Sequence, residues 1–144
     1  MIYFAYGSNI EYGQMKHRCP DSHIIGVATL HGYQLAFRGP LDIEENKRAQ
    51  TPGILYHISE DDLDNLDARE GYPTCYTRKM VHVSFKGGIV EAMAYYMTDE
   101  RKKSARLIPS KVYVNTVHEG YLQQNLSAAP LLLAFDTARN LAIF

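Results

Sequence analysis

The chain opens with an apolar strand that runs straight into a polar turn, Met1-Ile2-Tyr3-Phe4-Ala5-Tyr6-Gly7-Ser8-Asn9. Where the chain changes direction, backbone N–H groups are exposed. Gly7 lets the backbone approach a ligand closely or take a positive φ. Asn9 is a good N-cap, which predicts a helix over about residues 10–17 with Glu11 in its first turn. Free amides at such a start receive carboxylates or carbonyl oxygens. The same pattern also suits an ordinary strand-turn-helix.

The rest of the chain reads as strands in the middle and helices at the ends. Residues 24–38 form one or two strands, with Gly26 and Gly32 as breaks. Residues 39–51 are polar and contain Glu44-Glu45-Asn46-Lys47-Arg48, which predicts a mobile loop. Residues 53–58 form a strand. Ser59 followed by Glu60-Asp61-Asp62 resembles a capping box and starts a helix that runs to Glu70 and stops at Gly71. Residues 78–85 alternate, Gly87-Gly88 signals a hairpin turn, and residues 89–97 return. Pro109-Ser110 opens a further helix, with Tyr113, Val117 and Tyr121 four residues apart on one face. Gly120 inside it implies tight packing or a break. The tail from Ser127, with Leu131, Leu132, Phe135 and Leu141, predicts a last helix on the core. The expected class is α+β with a largely antiparallel sheet or barrel, in one domain over residues 1–144.

Charge excludes several roles. Lys+Arg of 15 against Asp+Glu of 16 gives a formal charge of -1, unsuited to a general nucleic-acid or membrane-surface partner. The basic run Arg101-Lys102-Lys103-Ser104-Ala105-Arg106 follows Asp99-Glu100 and reads as a solvated loop. No apolar run approaches the roughly 18 residues of a membrane span. The N-terminus lacks the basic region that precedes a signal peptide. Cys19 and Cys75 are too few for a disulfide framework, so the expected setting is cytoplasmic. Eleven Tyr with no Trp suits a small polar-ligand pocket.

The helix from Glu60 to Glu70 carries the chemical signal. With Leu63 set at 0° on a wheel of about 100° per residue, Leu66 falls near 300° and Glu70 near 340°. Asp62, Asn65 and Arg69 lie on the far side. Glu70 therefore shares the apolar stripe, at the rim of the core or inside a pocket. Burial disfavours the charged form and raises a carboxyl pKa toward the range of a general acid/base at neutral pH. Asp67, near 40°, is a weaker rival. Ser8 lacks the nucleophile-elbow motif, and His17, Cys19 and His23 match no standard zinc spacing. No phosphate-binding glycine motif occurs. The residues point to acid/base chemistry on a small anionic substrate, with no cofactor and no metal.

These segments resemble the γ-glutamylcyclotransferase-like family, which includes γ-glutamylamine cyclotransferases and plant AIG2-like proteins. Phe4-Ala5-Tyr6-Gly7-Ser8-Asn9 looks like that family's substrate-binding turn. Leu66-Asp67-Ala68-Arg69-Glu70-Gly71-Tyr72-Pro73, followed by Tyr76-Thr77-Arg78, looks like the segment holding its catalytic Glu. Gly53-Ile54-Leu55-Tyr56 is similar to the strand before the catalytic helix. Pro109-Ser110 with Tyr113 and Gly120 looks like the C-terminal helix motif. The resemblance implies a small mixed β-barrel flanked by helices. It implies release of 5-oxoproline from a small γ-glutamyl substrate, with Glu70 as general acid/base. It also places Tyr6, Gly7, Ser8, Asn9 and Tyr113 against that substrate. Tyr76 and Arg38 join on chemistry alone. A binding module of the same fold, or an amide hydrolase, are the competing readings.

Overall fold

The computed structural model describes residues 1–143. Five strands, β1 (Ile2–Ala5), β2 (His23–Phe37), β3 (Leu41–His57), β4 (Tyr76–Phe85) and β5 (Gly88–Met97), close into a barrel in the order β1-β3-β2-β4-β5. Neighbours pair antiparallel except β1 and β5, which run parallel with Tyr3 opposite Met93. Helices α1 (Tyr12–Arg18), α2 (Glu60–Glu70), α3 (Asp99–Lys102), α4 (Lys111–Gln123) and α5 (Ala129–Ile143) flank it. This is the mixed, largely antiparallel barrel that the sequence predicted. No helix among the described residues is long and apolar enough to cross a membrane.

Helix α2 forms as its end signals require. Ser59 Oγ accepts from the Asp62 N–H at 3.1 Å, and Asp62 Oδ2 accepts from the Ser59 N–H at 3.2 Å. Two otherwise unpaired donors are thus satisfied reciprocally. At the other end Gly71 takes φ 66° and ψ 40°, a left-handed stop in which Glu70 is the last helical residue.

Several expectations are corrected. The polar stretch 39–51 is not a loop. From Leu41 on it belongs to β3, and the β2–β3 ladder runs from His23 opposite His57 to Phe37 opposite Leu41. Ladder bonds serve the backbone, and the polar side chains bond one another: Gln34 Nε2 donates to Glu44 Oε1 at 3.2 Å, and Asn46 Nδ2 to Gln34 Oε1 at 2.8 Å. Strand β2 continues through Gly26 and Gly32, where the register merely shifts. Asn9 caps no helix. A single 3-10 turn, Ser8–Ile10, precedes α1, whose N-cap is Glu11. The hairpin turn is Lys86-Gly87, with Gly88 already paired to Phe85. Asp62, placed on the far side of α2 from the leucine stripe, is itself buried beside the turn that follows α1, and its Oδ1 accepts from the Asp21 N–H at 3.3 Å. The basic run begins inside α3. In α5, Leu131, Ala134 and Ala138 face the core, whereas Leu132 and Leu141 are exposed.

Gly120 does not break α4. A Cβ there would lie 2.6 Å from the Glu11 backbone N and 2.9 Å from the Ile10 carbonyl carbon. The helix therefore rests directly on the chain that leaves the 3-10 turn. Since backbone cannot yield as a flexible side chain does, Gly120→Ala is expected to destabilise the fold by about 1–3 kcal/mol through overpacking. A thermal melt checks this, and a Tm within 1 °C of wild type would contradict the packing.

Candidate active site

A cavity of about 510 Å³ opens between the 3-10 turn, the C-terminal end of α2, the tip of the β2–β3 hairpin and α4. The turn is held from two sides. Tyr56 Oη on β3 donates to the Asn9 carbonyl at 2.8 Å, and Gln14 Nε2 donates to Ser8 Oγ at 2.7 Å. The Ile10 and Glu11 N–H groups return to the Gly7 and Ser8 carbonyls at 3.1 Å each. The Gly7 and Asn9 N–H groups donate to no carbonyl of the turn or its caps.

Glu70 projects into this space from the last residue of α2. It is partly buried, and the surrounding protein strips enough water from the carboxyl to raise its pKa to about 7. Arg18 and Arg69 oppose that rise. They act from a distance: neither is ion-paired with Glu70 among the described residues. The Glu70 charge is felt by Tyr3 on β1, Tyr76 on β4, Tyr95 on β5 and Tyr113 on α4, which places the carboxyl centrally.

Burial raises the pKa of each of these phenols, so they stay neutral. Tyr6 Oη donates to the Tyr95 carbonyl at 2.7 Å, and Tyr76 Oη to the Leu41 carbonyl at 2.8 Å. Their hydroxyls thus brace the wall. Tyr113 is different. Its Oη accepts from the Leu41 N–H at 2.9 Å, and its hydrogen has no acceptor among the described residues. A Cβ on Gly7 would stand 3.0 Å from that oxygen, so the turn and Tyr113 are in contact.

The sequence-derived site residues Tyr6, Gly7, Ser8, Asn9, Glu70 and Tyr113 all line the one cavity, as does Tyr76. Asn9 lines it mainly as a brace: Nδ2 donates to Tyr3 Oη at 3.0 Å, and Oδ1 accepts from Arg18 Nη1 at 2.9 Å. Asp67 is occupied. Its Oδ1 accepts from Tyr95 Oη at 2.6 Å, and its Oδ2 lies 3.5 Å from Arg78 Nη1. The Arg78 guanidinium in turn sits 4.0 Å over the Tyr72 ring. This brace fixes the end of α2 and hence Glu70. Arg38 does not line the cavity: Nη1 pairs with buried Asp42 Oδ2 at 2.6 Å. The cations Arg18, Arg69 and Arg101 line it and were not singled out in the sequence. Arg101 had read as part of a solvated run, and Arg69 as the far side of α2.

A family model described as gamma-glutamyl cyclotransferase, AIG2-like, matches residues 3–115. The chain belongs to that family. No curated protein matches it. A solved structure of a gamma-glutamyl cyclotransferase superposes with a TM-score of 0.77 at 22% identity, over 96% of this chain and 86% of that one. An uncharacterised human protein gives 0.76 at 22% identity, over 96% and 85%. YkqA from Bacillus subtilis gives 0.77 at 25% identity, over 94% of this chain but 54% of that longer one. The two likenesses at 22% identity show the fold.

The raised pKa of Glu70 has a consequence for stability. Folded Glu70 titrates near 7 against an ordinary 4.5, so it is protonated in both states well below pH 4.5 and favours the folded state no more than Gln does. As pH rises from 4.5 to 7 the unfolded chain loses the proton first, and folding stability falls. Glu70→Gln is therefore expected to match wild type near pH 4 and exceed it by about 5 °C in Tm near pH 8. Parallel melting curves at the two pH values check the sign; a constant gap would mean that Glu70 is not desolvated.

Proposed function

We propose that this chain cyclises a γ-glutamyl amide to 5-oxoproline and a free amine by intramolecular aminolysis, with Glu70 as the general acid/base. The observation that carries this reading is a lone carboxyl, raised to about 7, in a cavity walled by neutral tyrosines and bordered by the Tyr6–Asn9 turn. Family membership supports a cyclotransferase in general.

The chemistry needs no protein nucleophile. The substrate's own α-amine attacks its side-chain carbonyl carbon, and a five-membered lactam forms as the bond to the departing nitrogen breaks. An α-ammonium is largely protonated at pH 7. Ionised Glu70 takes one of its protons and frees the lone pair. A pKa near 7 leaves comparable populations of base and acid at neutral pH, which suits a group that both accepts and donates. The ring nitrogen keeps one hydrogen of the original three. The other two pass through Glu70 to the departing nitrogen, which leaves as an ammonium ion.

The folded cavity holds amine and carbonyl together and lowers the entropic part of the barrier. As the carbonyl becomes tetrahedral, negative charge grows on its oxygen. The Gly7 and Asn9 N–H groups and the free hydrogen of Tyr113 are the donors available to it.

Wild type and Glu70→Gln are to be incubated with a panel of γ-glutamyl amino acids and amines, γ-glutamyl-ε-lysine included, while 5-oxoproline and glutamate are quantified. The expected result is 5-oxoproline from wild type and a kcat at least about 100-fold lower in the variant. Free glutamate instead would make the protein a hydrolase. A folded Glu70→Gln variant with wild-type turnover would remove Glu70 from the reaction. In the same assay, Tyr113→Phe is expected to lower kcat/KM about tenfold, the loss of one hydrogen bond to developing charge. An unchanged kcat/KM would assign that hydroxyl to the wall alone.

A further inference from the structure

Arg18 closes α1 and lines the cavity, yet it pairs with no carboxylate among the described residues. Its Nη1 is anchored on Asn9 Oδ1 at 2.9 Å. Asn9 is itself fixed, through Nδ2, to the buried Tyr3 hydroxyl at 3.0 Å. The Nε–H is buried and donates to nothing among the described residues, and Nη2 likewise has no protein partner. An unsatisfied buried donor on a charged group is costly, and more so than for a neutral one. The free Nε–Nη2 edge is the edge of a guanidinium that grips a carboxylate with two parallel hydrogen bonds.

The other cations are excluded in turn. Arg38 is committed to Asp42 and Arg78 to Asp67. Arg69 is exposed. Arg101 acts on Tyr76 and is not among the cations that act on Glu70. Arg18 and Arg69 are the two cations that act on Glu70, so Arg18 is the held, partly buried cation that shares the cavity with the carboxyl.

From this we propose that Arg18 is the seat of the substrate's α-carboxylate, with Asn9 as the positioning residue that turns its guanidinium edge toward the cavity. The assignment of the α-carboxylate rests on the cyclotransferase reading. In that reaction the α-amine must reach Glu70, and the carboxylate is bonded to the same carbon as the amine. It must therefore lie in the cavity that Glu70 and Arg18 both line. Binding there also fixes the rotation about that carbon and points the amine at the carboxyl.

The test separates charge recognition from turnover. 5-Oxoproline and 2-pyrrolidinone are the same lactam with and without the carboxylate. Their binding to wild type, Arg18→Gln and Arg18→Lys is to be measured by titration calorimetry, with a melting curve for each protein. Wild type is expected to prefer 5-oxoproline by at least about tenfold. Arg18→Gln is expected to lose that preference. Arg18→Lys, which keeps the charge but not the fork, should retain part of it and serves if the Gln variant does not fold. In the kinetic assay Arg18→Gln should raise KM by about tenfold or more while kcat changes far less. Wild-type binding without a carboxylate preference, or a preference that both variants keep, overturns the proposal. If wild type shows the Arg18-dependent preference but makes no 5-oxoproline, the carboxylate seat stands and the cyclotransferase reading falls. If turnover occurs and the preference survives both substitutions, the reverse holds.

Discussion

The site depends on a contact between two stretches of backbone. Helix α4 lies against the chain at Ile10 and Glu11, where Gly120 leaves no room for a side chain. That seat sets the height of the 3-10 turn above the barrel. It also sets the position of Tyr113, two helical turns earlier in α4, whose oxygen meets Gly7 and the Leu41 N–H. Packing at backbone distance is stiff, because no rotamer change can relieve it. The turn, the hairpin tip and the tyrosine are thereby held in one relative position before any ligand arrives, which is the preorganisation that electrostatic stabilisation requires.

The second determinant is electrostatic. The cavity carries one carboxyl and several guanidiniums, and its wall includes phenols that burial keeps neutral. Neutral rings displace water from Glu70 without compensating its charge, and so its pKa rises. An ion pair would have had the opposite effect. Asp67, three residues earlier on the same helix, is bonded to Tyr95 and lies 3.5 Å from Arg78, and it braces the end of α2. Two carboxylates on one helix thus take different roles, one bonded into a brace and the other facing the cavity without an ion-pair partner among the described residues.

Much of this was legible in the sequence because it is written locally. The Ser59–Asp62 cap, the Gly71 stop, and Glu70 in the seam of Leu63 and Leu66 all act within a few residues. The barrel class followed from strands punctuated by glycine. The parts that were not legible are set by partners distant in the chain. Strand β3 looked like a loop because its polar side chains, several of them exposed, give no apolar pattern; what makes it a strand is the ladder and the side-chain bonds to Gln34 across the hairpin. Asp62 fell on the far side of the wheel because its partners there, Cys19 and Asp21 in the turn after α1, lie some forty residues earlier. Arg18 drew no notice because a basic residue in a last helical turn is ordinary; its significance lies in the Asn9 contact and in what its other nitrogens lack.

The tip of the β2–β3 hairpin has an implication for how this chain tolerates change in length. Hairpin ends are where insertions and deletions are usually accepted, since little packs against them. Here Leu41, the first residue after the bend, gives its carbonyl to Tyr76 and its N–H to Tyr113. The next residue, Asp42, receives the N–H of Met97 at the end of β5. A residue added between Phe37 and Leu41 has to leave all three of these bonds in place. The Lys86-Gly87 bend carries no such attachments. Of the two hairpins, the β2–β3 tip is the one whose length bears on the cavity it closes.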